Sequence, residues 1–140
     1  MNAIVRVSAL VYPTEIEENV RTAVTNVFPV ELTIRNFGTP QLYGEGDLES
    51  LRRTHTLLRE LRILDTARRI LMNGIDGNST QFRLNKQVAY VGKVNFPAGE
   101  EILGSIHVEM TADNAEDLMI IIDWLAPETV EGEPVREIEL

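Results

Sequence analysis

The sequence predicts an α+β fold in two layers, a mostly antiparallel sheet with helices packed on one face, in the order β-α-β-α-α-β-β-β-α. Three observations carry this expectation. Apolar residues recur at helical spacing in separate stretches, β-branched and apolar residues alternate or cluster in others, and Gly, Pro, Asn and Asp punctuate the boundaries. With 140 residues, 44% of them hydrophobic and 25% charged, the chain can bury one continuous core. That core is assigned to residues 1–126 as a single domain, followed by an acidic tail at 127–140.

Ile4, Val7 and the run Ala9 to Val11 predict a central first strand, closed by Pro13. Thr14 and Glu17 form a capping-box pattern ahead of Ile16, Val20, Ala23, Val24 and Val27, whose spacing predicts a helix that Phe28 and Pro29 stop. Glu31 to Arg35 alternates as a second strand with Leu32 and Ile34 on one side. Gly38, Pro40, Gly44 and Gly46 then predict a loop, with at most a short edge strand near Leu42 and Tyr43.

Asp47 is positioned to cap a helix through Leu51, Leu57, Leu58 and Leu61. Asp65 is positioned to cap a second piece through Ala67, Ile70 and Leu71, with a break near Ile63. Asn73, Gly74 and Gly77 end it. Three strands are expected next: Gln81 to Asn85, Val88 to Phe96 kinked at Gly92, and Gly104 to Thr111, with Pro97 and Gly99 turning into the last. Asp113 or Asn114 caps a final helix with Ala115, Leu118, Ile121, Ile122 and Leu125 inward and Trp124 filling the layer gap. From Pro127 the chain is acidic and aperiodic, which predicts a flexible tail or a surface strap.

Composition excludes several chemistries. There is no cysteine, hence no disulfide, thiolate catalysis or Cys-ligated zinc. His55 and His107 are the only histidines, so no His-rich metal site and no acid–base pair are legible, and neither Walker, G-x-G-x-x-G nor G-x-S-x-G patterns occur. No catalytic residue, metal or cofactor is expected. Met1 to Leu10 does not read as a signal peptide, and Leu118 to Ala126 is too short to span a bilayer and contains Asp123. A cytoplasmic protein without membrane attachment is expected.

Formal net charge is −9, which opposes binding to phosphate, but the distribution is uneven. Between Leu51 and Lys93 nine basic residues face three acidic ones, a balance of +6, while the remainder of the chain carries −15. On a continuous helix Arg52, His55, Arg59, Arg62 and Arg69 fall on a stripe about 100° wide, able to track a phosphate backbone or to serve as an ordinary solvated face. Leu48 and Leu51 near that stripe favour the latter. In the later strands, period two places Phe82, Leu84, Val94, Phe96, Ile106 and Val108 inward, and Gln81, Arg83, Asn85, Lys93, Asn95, Ser105 and His107 outward. Such amide and cationic groups can hydrogen-bond phosphates, 2′-hydroxyls or base edges, or simply face water. Only Tyr90 is near enough to stack, so shape recognition of structured RNA fits better than single-strand binding. Lys86 and Gln87, at a strand turn, complete the candidate set: Arg52, Arg59, Arg62, Arg69, Arg83, Asn85, Lys86, Gln87 and Lys93. The Gly74-Ile75-Asp76-Gly77 match to a KH-type phosphate clamp is opposed by the charge of Asp76.

Helix, three strands, helix is also the element order of double-stranded-RNA-binding domains, a likeness of order alone. A more specific resemblance lies in Tyr12-Pro13-Thr14-Glu15, Phe82-Arg83-Leu84-Asn85-Lys86-Gln87-Val88-Ala89, Leu103-Gly104-Ser105-Ile106 and Trp124-Leu125-Ala126-Pro127-Glu128-Thr129. Across nearly the whole chain these segments resemble an archaeal family of uncharacterised proteins predicted to bind RNA and linked to the exosome. The resemblance implies an archaeal source, a fold like that of the ribosomal protein that binds 5S RNA, RNA as partner, and an RNA-processing complex as protein partner. It supplies no catalytic residues. The competing expectation is a protein-interaction module or homodimer whose acidic surface or tail meets a basic partner, motivated by Glu128, Glu131, Glu133, Glu137 and Glu139.

Overall fold

The computed structural model describes residues 1–99 and 104–140. Its elements in chain order are β1 (Ala3–Leu10), α1 (Glu17–Val27), β2 (Thr33–Phe37), β3 (Thr39–Gly46), a 3-10 turn (Leu48–Leu51), α2 (Arg52–Glu60), α3 (Leu64–Asn73), β4 (Ser79–Asn85), α4 (Lys86–Tyr90), β5 (Ser105–Ala112), α5 (Ala115–Leu125), β6 (Thr129–Val130) and β7 (Glu133–Pro134). Five strands form one antiparallel sheet in the order β2-β3-β1-β5-β4, so β1 is central as its apolar alternation predicts. The α+β class with helices on a mostly antiparallel sheet is what the sequence leads one to expect.

Register fixes the two faces. Val7 lies opposite both Gly44 and Val108, which in turn pairs with Phe82, and Ala9 lies opposite Leu42 and Ile106. Val5, Val7, Ala9, Leu42, Phe82, Leu84, Ile106, Val108 and Met110 are therefore on one face, and all are buried. Helical residues Val24, Leu58, Leu71, Leu118, Ile121 and Ile122 complete that core. Val94 is buried and Phe96 half-buried, Phe96 edge-on to Phe82 at 6.1 Å.

Several local expectations are corrected. The stretch Val88 to Phe96 is not a strand: Asn85 accepts a hydrogen bond from Val88 N (2.8 Å) and caps α4, after which residues 93–97 run without regular structure. Asn26 Nδ2 donates to the carbonyls of Ala89 and Tyr90 and fastens the end of α4 to α1. The order after α3 is thus strand, helix, strand, helix, and the likeness to double-stranded-RNA-binding domains lapses.

The Thr14/Glu17 box does not form either, since α1 begins after Ile16, which is exposed, and Glu15 accepts from Tyr12 N instead. Ala115, expected inward, is also exposed, as is Ile34 on the edge strand β2. β3 is a full strand between β2 and β1 rather than a loop or edge. Its glycines answer to crowding: a Cβ on Gly44 would lie 2.8 Å from the Glu31 carbonyl, where the chain crosses the strand. Asp47 caps the 3-10 turn by accepting from Glu49 N, and the predicted break falls at Arg62, whose φ is +57°. Asp65 lies in the first turn of α3 rather than capping it, while Asn114 caps α5 through Asp117 N. Leu103 of the Leu103–Ile106 motif lies outside the described residues.

Candidate nucleic-acid interface

The helices pack chiefly on one face of the sheet, and the other is mostly polar, with the end of α3 reaching it at Ile70, Asn73 and Gly74. Cross-strand register assembles it in rows. Arg83 pairs with His107, His107 with Ser8, Ser8 with Tyr43 and Tyr43 with Thr33, while the adjacent row runs Gln81, Glu109, Arg6, Glu45. Except for Thr33 and Glu45 these side chains, with Arg35 and Gln41, line a shallow concavity of about 710 Å³ that Phe96, Pro97 and the end of α3 also border.

The concavity is electrically divided. Arg6 is held between two carboxylates, Glu109 at 3.2 Å and Glu45 at 3.7 Å, so the lower row is locally neutral. The upper row carries Arg83 and His107 without a carboxylate in the row. Arg83 donates to the Gly99 carbonyl (3.3 Å), which leaves its charge uncompensated by any acid among the described residues. Partial burial, then the charges of Arg83 and Lys86, depress the His107 pKa, so the ring is predominantly neutral near pH 7. At the β2 end the Arg35 guanidinium stacks 3.7 Å above the Tyr43 ring, whose hydroxyl donates to Glu45 (3.1 Å). A planar cation on an aromatic, two further nitrogen donors and three amide or hydroxyl side chains across five strands form a surface suited to phosphate and sugar oxygens.

The structure divides the sequence-derived candidates among several places. Arg83 is on this face. Lys93 and Gln87 are exposed, Lys93 in the segment after α4 and Gln87 on α4 itself. Asn85 is engaged as the α4 cap. Lys86 is not at a solvated strand turn: it is buried in the first turn of α4, where its Nζ donates to the Leu10 carbonyl (2.6 Å) and to Glu15 (3.0 Å). Ser105, expected outward, is buried. Arg52, Arg59, Arg62 and Arg69 lie on α2, at its end and on α3, and none of them is among the residues lining the concavity. Arg59 is largely enclosed, donating to the Leu125 and Trp124 carbonyls and pairing with Glu137. Tyr90 lies on α4, away from the sheet, beside Ile16 and Gln87.

Arg6, Arg35, Gln41 and Tyr43 escaped the sequence reading. Three of them belong to β2 and β3, and the glycines of β3 had disguised that strand as a loop. Alternation of Gln41, Tyr43 and Glu45 against Leu42 was the available clue. No group of three or more His, Asp or Glu placed to hold a metal occurs among the described residues, and no described helix is long and apolar enough to cross a membrane.

A family pattern described as RNA binding matches residues 4–112, which take in the five strands of the sheet except Ala3 of β1. The chain is 44% identical over 139 residues to the UPF0201 protein MK0399 of Methanopyrus kandleri, covering 92% of this chain and 87% of that protein. It is 39% identical over 150 residues to a UPF0201 protein of Methanosarcina acetivorans, covering 97% and 92%. The crystal structure of a UPF0201 protein from Methanococcus jannaschii matches with a TM-score of 0.86 at 39% identity, over 95% of this chain and 99% of that one. Because the pattern spans most of the chain and the relatives align almost end to end, the chain belongs to the RNA-binding family and, within it, groups with the archaeal UPF0201 proteins.

Proposed function

We propose that the protein binds structured RNA through the polar face of its five-stranded sheet and performs no chemistry on it. The observation that supports this most is Arg83 beside His107, with Arg35 stacked on Tyr43 at the other end, on the sheet face turned away from the core. Family membership points to the same ligand. The face offers one stacked aromatic rather than a ladder of them, which favours reading of a folded RNA's backbone and sugar edges over threading of a single strand. Arg83 belongs to the face, and Lys93 and Gln87 are exposed positions from which a bound backbone could be met beyond it. The resemblance further implies a fold related to that of the 5S-RNA-binding ribosomal protein and an RNA-processing complex such as the exosome as partner, and a cytoplasmic setting belongs to the same proposal.

Titration of a structured RNA hairpin at several salt concentrations tests the reading. Affinity is expected to fall as salt rises, and Arg35→Gln and Arg83→Gln are each expected to lower the steepness of that dependence by about one unit of slope. Unchanged affinity and slope in the double variant, with the fold intact, would remove the sheet face as the interface.

A further inference from the structure

The acidic segment that follows α5 does not trail into solvent. Its hairpin, β6 and β7, is closed by Val135 N donating to the Glu128 carbonyl, and Ile138 and Leu140 pack back against the core. Along the way it meets the arginines of the helical layer one after another. Arg68, held at 2.8 Å by Asp123 of α5, lies 3.6 Å from Glu128; Arg62 lies 3.5 Å from Glu133; Arg59 pairs with Glu137; and Arg52, held at 2.6 Å by Glu49, also donates to the Leu140 carbonyl at 2.6 Å. Thr129 also donates to Asp65 on α3.

The Arg59–Glu137 contact is a two-pronged one, Nε to Oε2 at 2.8 Å and Nη2 to Oε1 at 2.6 Å. That is the same fork geometry by which a guanidinium grips a phosphate. Arg53 and Arg69 on the same helices are exposed and have no ion pair among the described residues. The segment therefore presents spaced anionic oxygens to a row of arginines, as a nucleic-acid backbone does.

We propose that this arginine layer, carried by α2 and α3, is a second RNA-backbone surface, and that the chain's own segment 128–140 occupies it until RNA displaces it. The proposal rests on the reading of the protein as RNA-binding but concerns a different face. It assigns the segment the role of an internal competitor. At the exposed pairs the contacts are weak and salt-sensitive, so a polyanion of higher charge density can replace them.

The test keeps the full chain. A triple variant, Glu128→Gln with Glu133→Gln and Glu137→Gln, is compared with a control of equal charge change, Glu18→Gln with Glu31→Gln and Glu116→Gln, on exposed positions away from the segment. The probe is an RNA duplex of roughly 20 base pairs at about 0.1 M salt. The triple variant is expected to bind about tenfold tighter than the control. Amide exchange in residues 128–137 of the unaltered protein is expected to accelerate when the duplex is added.

Equal affinity of the two variants, together with unchanged exchange, would overturn the proposal and leave the segment a structural strap. Arg35→Glu with Arg83→Glu separates this from the sheet reading. If that pair abolishes binding while the two glutamine variants remain equal, the sheet reading stands and the competitor does not. If binding survives that pair in the unaltered background and is tightened further by the triple variant, the arginine surface acts alone and the sheet reading falls; if it survives only in the triple-variant background, both surfaces bind and the segment blocks the second.

Discussion

Lys86 shows how a residue type misleads when its neighbours are unknown. A lysine beside a glutamine, after a strand, reads as a solvated cation, yet its side chain and that of Glu15 are only 6% and 10% exposed and 3.0 Å apart. Removing one member of such a buried pair strands the other without compensation. Lys86→Ala is accordingly expected to destabilise the fold by about 3–5 kcal/mol in chemical denaturation, so any loss of RNA binding it causes arises through unfolding. His107 behaves differently because it is exposed on the proposed interface. Burial, Arg83 and Lys86 hold its pKa below the ordinary histidine value, and a bound phosphate would counter the two cations. RNA binding should therefore take up a proton. Affinity is expected to rise as pH falls from about 7.5 to 6, and His107→Gln should flatten that rise in hairpin titrations. A pH-independent affinity in the unaltered protein would place His107 outside the contact.

At the scale of elements, the outcome depends on whether a local pattern or a tertiary contact sets the structure. The alternation of β1, the N-cap of the last helix and the break between α2 and α3 are local matters, and each was legible from spacing and cap residues. α4 was not, because Val88, Tyr90, Val91 and Val94 are β-prone side chains and the cap that decides the issue is the single Asn85 side chain. β3 was hidden for the opposite reason: Gly44 and Gly46 are there for lack of room, with Val30 and Glu31 against one and Val30 and Ser50 against the other. Crowding of this kind has no trace in a sequence window. Two measurements follow from these origins. Asn85→Ala should cost about 1 kcal/mol of stability through the lost cap. Gly44→Ala should cost about 1–3 kcal/mol by forcing the crossing chain away from β3, read in the same denaturation experiment. A neutral Gly44→Ala would mean that the crossing segment yields freely.

Over the whole molecule, Arg52, Arg59, Arg62, Arg68 and Lys86 of the +6 middle segment meet carboxylates of the −15 remainder on folding. Arg52, Arg59, Arg62 and Arg68 meet the acidic segment, whereas Arg83 and Arg35 on the sheet have no ion pair among the described residues. The same meeting makes stability depend on pH. His55 stacks on Trp124 at 4.6 Å, and burial, then Arg59, lower its pKa, outweighing the opposing pull of Glu137. His107 is lowered as well, so for both rings the unfolded chain takes up protons first. The folded state then loses stability as pH drops below about 6.5, the unfolded histidine value, toward the folded values. Glu137 is lowered too, chiefly by its hydrogen bond from Arg59, and its contribution is complete above the unfolded carboxylate range and disappears as pH falls through its folded value. Thermal unfolding is thus expected to show a plateau above about pH 7, a first decline through the histidine window and a second in the acid range. His55→Gln should shrink the first decline without touching the second, and Glu137→Gln should shrink the second. The second decline, since it tracks release of the acidic segment from Arg59, should also be accompanied by a change in fluorescence of Trp124, the chain's only tryptophan, whose carbonyl accepts from Arg59 and whose ring lies beneath Arg52. Unfolding curves that superpose from pH 8 to pH 5 would contradict the histidine assignment outright.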